Sequence, residues 1–151
     1  MASKTKTTQK WKGYEYFSGD IFFDDIQQLG IAMSQHEFTA PKAGIYLFSF
    51  TANSADPEPA YTDYLNKKTN RVVIRKNGYK ITEINDQSTE YNKHISWVWM
   101  DELNTGDKIT FEVTEGYLHA MPCTPVIFTA EYTGYSKHKA KPDTSESVWG
   151  P

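Results

Sequence analysis

An all-β fold, and within it a jelly-roll β-sandwich of ten or so short antiparallel strands, is what the 151-residue sequence predicts. Three observations carry that expectation. Aromatic residues make up 15% of the chain, with ten Tyr and eight Phe, while aliphatic side chains are sparse; the interior must be built largely from rings, which fit pleated surfaces better than helical grooves. Short runs of alternating apolar and polar residues recur with turn residues between them. Neither an internal repeat nor an amphipathic helical pattern of more than two turns is present. A jelly roll is preferred to an open sheet because it leaves less unpaired strand edge.

Residues 1–10 are Lys-, Thr- and Gln-rich and are expected to fray, since a polar terminus gains too little burial to offset its ordering entropy. A single domain is expected over 11–135, in a chain long enough to bury about two-thirds of its unfolded surface. In YEYFSGDIFFDDI, two apolar clusters flank Ser18-Gly19-Asp20, which reads as a strand pair or one bent strand. In FTAPKAGIYLFSF, a Pro-Lys-Ala-Gly turn feeds a strand whose Tyr46, Phe48 and Phe50 point one way and build an aromatic wall. Residues 53–70, with two prolines and no period, read as a long surface loop.

Arg71–Lys76 and Tyr79–Ile84 flank Asn77-Gly78, whose turn needs positive φ at both positions, and form a hairpin. A polar link over 85–93 leads to HISWVWMDEL. There Ile95, Trp97, Trp99, Asp101 and Leu103 share one face and Ser96, Val98 and Met100 the other, the pattern of a strand covered on both sides. Asn104–Asp107 turns the chain into a strand with Ile109, Phe111 and Val113 inward, and Glu115-Gly116 is expected to turn it again. VIFTAEYTGY closes the sandwich with Phe128, Ala130 and Tyr132 on one side, and 136–151 reads as a flexible, solvated tail.

The formal charge of −3 is spread without basic blocks, so nothing in the sequence supports an electrostatic grip on nucleic acid. No apolar run reaches the length of a membrane-spanning helix, and MASKTKTTQK lacks the apolar core of a secretory signal; a signal removed ahead of this Met would leave the same text. Cys123 is the only cysteine, which excludes an internal disulfide, and a buried thiol is expected.

Three ordered blocks make the chain resemble the globular C1q domain of the C1q/tumour necrosis factor-like superfamily, in a divergent form without the collagen stalk. Phe38, Ala40, Pro41, Gly44, Tyr46 and Phe48 match that family's phenylalanine-x-alanine-proline and glycine-x-tyrosine-x-phenylalanine signature. VVIRKNGYKI resembles its central Asn-Gly hairpin, and Ser96–Leu103, Gly106-Asp107, Ile109–Val113 and Phe128–Tyr132 resemble its closing strands. The departures are YEYFSGD in place of a small-residue opening strand, Asp101 where an aliphatic residue is usual, and Ala130-Glu131 in place of glycine-phenylalanine. The resemblance implies a secreted, non-enzymatic homotrimer.

Candidate sites follow from residue chemistry and from that resemblance. Tyr61, Tyr64 and Tyr91 are the candidates for ligand contact, because aromatic faces beside polar groups grip sugars and build interfaces. Tyr46, Phe48, Phe50, Trp97 and Trp99 are expected in the core or in a subunit contact. Asp101 is either a strand end emerging into water or, with Glu102, part of a Ca²⁺ site of the kind the resemblance allows; calcium is the one ion under consideration, and no other cofactor is expected. His36, His94, His119 and His138 lack zinc spacing, and no Gly-x-Ser-x-Gly elbow or phosphate-cradling glycine loop occurs. The expected function is that of a pattern- or glycan-binding innate-immune lectin. The alternatives are a matrix assembly module and a receptor-binding, hormone-like ligand.

Overall fold

Side chains alternate across a strand, so a chain whose rings recur at every second position folds only when two sheets turn their ring-bearing faces together. In the computed structural model, which describes residues 1–5, 10–11, 14–26, 33–55, 68–88 and 93–134, that is the arrangement found. Eleven strands occur among these residues: β1 (Ala2–Lys4), β2 (Lys10–Trp11), β3 (Tyr14–Asp20), β4 (Asp25–Ile26), β5 (Phe38–Thr39), β6 (Gly44–Ala55), β7 (Lys68–Lys76), β8 (Tyr79–Ser88), β9 (His94–Leu103), β10 (Lys108–His119) and β11 (Val126–Gly134).

The first layer runs β4–β1–β11–β6–β9, and the second β2–β3–β10–β7–β8 with β5 beside the start of β10. Every pairing is antiparallel. The layers join where Ser54 and Ala55, at the end of β6, pair with Leu118 and Tyr117 of β10. This is the expected all-β jelly roll.

Phe48, Phe50 and Phe128 from the first layer meet Phe111 and Phe38 from the second. Phe111 lies 4.8 Å from Phe128 edge-on and 5.5 Å from Phe50 in a stack. Phe38 approaches Phe48 at 5.8 Å, and Phe48 stacks on Phe128 at 5.8 Å. All five rings are buried, with Ile74, Ile109, Val113 and Leu118 filling the remaining space. The aromatic wall therefore stands as the alternation in β6 requires, with Tyr46, Phe48 and Phe50 inward.

The Asn77-Gly78 hairpin forms, with φ of 54° and 87° at its two central residues. β3 continues through Ser18-Gly19-Asp20, Gly19 taking positive φ, so the bent-strand alternative holds over the strand pair.

Several expectations are corrected. Ala2–Lys4 are not frayed: they pair with β11 on one side and β4 on the other, and Ala2 is fully buried. Partner strands on both sides supply the hydrogen bonding and burial that a polar composition does not advertise. β6 runs to Ala55 and β7 begins at Lys68, so both ends of the expected 53–70 loop are strand. β8 likewise extends to Ser88 through the expected polar link, because Asn70↔Asp86, Thr69↔Gln87 and Lys68↔Ser88 continue the ladder with β7.

Glu115-Gly116 is a bulge inside β10 and not a turn; a Cβ on Gly116 would lie 2.8 Å from the Thr69 carbonyl oxygen, so glycine serves close approach there. Cys123 is exposed, because it sits in the tight Met121–Thr124 turn and not in a strand. The tail at 136–151 lies outside the described residues.

The variant Phe111→Ala, which removes a ring touching Phe23, Phe50, Trp99 and Phe128, is expected to cost about 3–5 kcal/mol. Urea denaturation reads this as a lower midpoint at unchanged slope. A loss under about 1 kcal/mol would show that these rings do not tie the layers together.

Candidate binding surface

The two outer faces of the sandwich differ in chemistry. On the second layer, Val72 and Ile74 point inward, which turns Arg71 and Arg75 outward with Glu112 and Glu83. Arg71 pairs with Glu115 and, at 3.5 Å, with Glu83. Arg75 meets Glu112 at 2.6 Å, and Lys80 meets Glu83 at 2.6 Å. Glu83 is held below the usual carboxylate range by its hydrogen bonds from Lys80 and Asn85. That is an ordinary solvated face.

The first layer carries less charge at the centre of its outer face. Three cross-strand rows lie there: Met100, Leu47 and Glu131; Val98, Ser49 and Thr129; Ser96, Thr51 and Ile127. Carboxylates flank them, Glu102 beside Ile45 in the next row and Asp25 beyond Ser3 at the end of the last. Glu131 is the only charged residue of the nine. Val98 and Met100 are 62% and 59% exposed, while Leu47, Ser49 and Thr51 are half-buried and the Ser49 and Thr129 hydroxyls hydrogen-bond to each other. Exposed apolar side chains at the charge-poor centre of a sheet face mark an interaction surface, because charge depletion characterises the core of an interface.

β9 borders this surface. Among the described residues it pairs only with β6, so it forms the edge of the layer there. The expectation that both its faces are covered is corrected for the single chain: the Val98–Met100 face is open, and at the edge the inward face is covered only in part. Ile95 and Leu103 are buried, whereas Trp97 is 38% exposed. Trp99 stacks on Phe48 at 5.1 Å, and its indole Nε1 is buried without a hydrogen-bond partner among the described residues. Trp97 and Trp99 thus stand where core and edge meet, while Tyr46, Phe48 and Phe50 are core. The face formed by Leu47, Ser49, Thr129, Val98 and Met100 was missed as a site in the sequence. The alternation in HISWVWMDEL was its only signal, and strand order was needed to reveal what lies beside it.

Asp101 lies between the layers at this edge. One carboxylate oxygen accepts the Glu102 amide at 2.9 Å, and the other is 3.6 Å from Lys76 Nζ on β7, close enough for an ion pair and too long for a hydrogen bond. Its charge is therefore compensated from the opposite layer. Among the described residues, no three acidic, His or Cys side chains converge. Tyr61, Tyr64 and Tyr91 lie outside the described residues.

Tyr46, at the start of the wall, anchors the turn ahead of it: its hydroxyl donates to the Lys42 carbonyl at 2.6 Å and accepts the Lys42 amide at 3.3 Å. Tyr132 packs edge-on against Tyr46 at 5.2 Å, donates to the Ala43 carbonyl and lies beneath Lys42 Nζ. Burial raises the Tyr46 phenol above its ordinary value, against the hydrogen bond to Lys42, which lowers it; Tyr132 adds a smaller upward push. Among the described residues, no helix is long and apolar enough to cross a membrane.

No family model and no curated protein matches the sequence. Solved structures do match its fold. The globular domain of zebrafish complement 1qA protein is similar at 15% identity, over 89% of this chain and 96% of that one, with a TM-score of 0.58. Eiger TNF from S. frugiperda is similar at 13% identity over 97% of both chains, with a TM-score of 0.60. Murine APRIL is similar at 11% identity over 86% of this chain and 96% of that one, with a TM-score of 0.57. Likeness at these identities is likeness of fold.

Two outcomes follow from the site geometry. Because the neutral phenol of Tyr46 is favoured in the folded state, its contribution to stability is full below about pH 10 and is lost as pH rises through its raised folded value. Tyr46→Phe is therefore expected to cost about 1 kcal/mol at neutral pH and to flatten the alkaline fall in melting temperature; an unchanged alkaline limb would assign that fall to other groups. With Lys76 compensating Asp101, melting temperatures with added calcium and with chelator are expected to coincide, and a calcium-dependent rise lost in Asp101→Asn would overturn that assignment.

Proposed function

From a chain with the C1q/TNF-like jelly-roll fold, we propose a non-enzymatic, extracellular binding domain that associates through the outer face of its first layer into a homotrimer. The observation that carries this reading is the contrast between the two outer faces: charge networks on one, and on the other a central patch of three rows of apolar and hydroxyl side chains around one carboxylate, with Glu102 and Asp25 at its margins. Val98 and Met100 on the face, with Trp97 at its margin, supply apolar area that water covers in a lone chain and a neighbour covers in an assembly.

Association gives three copies of any partner site a common rigid base. Each copy raises the effective concentration of the others, so weak individual contacts add to useful avidity. A repeated ligand, such as a glycan or another surface pattern, is the partner class that geometry serves best. The lectin reading is the finer part of the proposal, and its candidate contacts are Tyr61, Tyr64 and Tyr91.

Size-exclusion chromatography with light scattering tests the assembly. The chain is expected to run as a trimer at micromolar concentration, and Val98→Glu is expected to weaken association at least about tenfold, equivalent to 1.4 kcal/mol. Circular dichroism of the variant should remain that of a folded β protein. A clean wild-type monomer would remove the multivalency argument. A glycan array on the trimer then reads the ligand class, and absence of saturable binding there would sink the lectin reading while leaving the assembly intact.

A further inference from the structure

We propose that Asn77 is a deamidation site that the folded chain holds shut, and that its conversion irreversibly removes one of the side-chain ties between two turns. Asn77 and Gly78 form the exposed tip of the β7–β8 hairpin. Gly78 has no side chain to shield its backbone nitrogen, and nothing lies within 4 Å of the position a Cβ would take there.

The chemistry needs only water. The Gly78 nitrogen attacks Asn77 Cγ, the Cγ–Nδ2 bond breaks, and that nitrogen leaves as ammonia. The resulting five-membered imide is opened by water at either carbonyl, giving aspartate or an iso-aspartyl backbone at position 77. The net change is NH replaced by O.

What holds the site shut is a clasp to the turn between β9 and β10. Asn77 Oδ1 accepts the Lys108 amide at 2.9 Å, and Nδ2 donates to Asp107 Oδ1 at 3.0 Å. The Asn77 amide donates to the Lys108 carbonyl at 2.8 Å. Asp107 is itself fastened, its other oxygen accepting the Asn104 amide at 2.8 Å. Ring closure must rotate the Asn77 amide toward Gly78, and that motion breaks both side-chain bonds together. The reaction is therefore tied to local opening of the clasp.

The aspartate product refastens only in part: its carboxylate still accepts the Lys108 amide, but the tie to Asp107 is lost. A carboxylate at position 77 has no donor for Asp107 and sets two negative charges against each other. Asn77 is thus both the fastening and the point at which it fails. The site is separate from the first-layer face, so this inference stands whether or not the chain forms a trimer.

Peptide mapping by mass spectrometry, on the full chain incubated at mildly alkaline pH, follows the NH-to-O exchange at Asn77. Conversion is expected to be at least about tenfold slower in native buffer than in urea, and to accelerate several-fold in folded Asp107→Ala. Equal native and urea rates would overturn the proposal, as would folded Asp107→Ala converting no faster than wild type. Should that variant not fold, the native-to-urea contrast in the wild-type chain decides alone. For the consequence, N77D is expected to melt below N77G at neutral pH. N77D melting no lower than N77G would show that charge repulsion plays no part.

Discussion

Contact between the rings of the two layers is the constraint on which the rest of the molecule depends. Phe111 reaches Phe50 and Phe128 across the sandwich, and Phe38 reaches Phe48. These rings are the largest side chains at the centre of the core, with aliphatic residues packed around them, and their stacked and edge-on geometries fix how the sheets lie over each other. The outward direction of Val98 and the part-covered inward face of β9 both follow from which way those rings point.

The edge of the first layer shows how this constraint becomes a surface. β9 contributes Ile95 and Leu103 to the interior, while Trp99 only partly enters it. Asp101 lies further along the same face, and a Lys76 ammonium from the second layer offsets the cost of placing a carboxylate between sheets. The same alternation that drives these residues inward leaves Val98 and Met100 outside, beside Leu47 and Ser49 of β6. A strand at a sheet edge has one partner, so its outer side chains receive no cover from within the chain.

At the rim, small turns decide how firmly the layers' ends are held. Tyr46 and Tyr132 pin the Lys42–Ala43 turn through its carbonyls. Asn77 and Asp107 fasten the hairpin to the turn between β9 and β10. These ties are individually worth little, yet each satisfies backbone groups that the strand ladders leave over at their ends.

What the sequence by itself determined is whatever depends on short-range periodicity and local backbone chemistry. The two-residue alternation of Tyr46, Phe48 and Phe50, and of Ile109, Phe111 and Val113, assigned the core faces. Asn77-Gly78 assigned the hairpin through its demand for positive φ. The order of motif blocks named the fold. What only the tertiary structure decided rests on pairing between distant segments. Ala2–Lys4 becomes a strand because β11 and β4 flank it, Glu115-Gly116 a bulge because β7 and β6 lie beside β10, and Val98 and Met100 part of a surface because β6 and β11 align next to them. Backbone hydrogen bonds between strands carry no sequence signature, so which strands become neighbours, and therefore which faces are left for a partner, is settled only when the whole chain has closed on its rings.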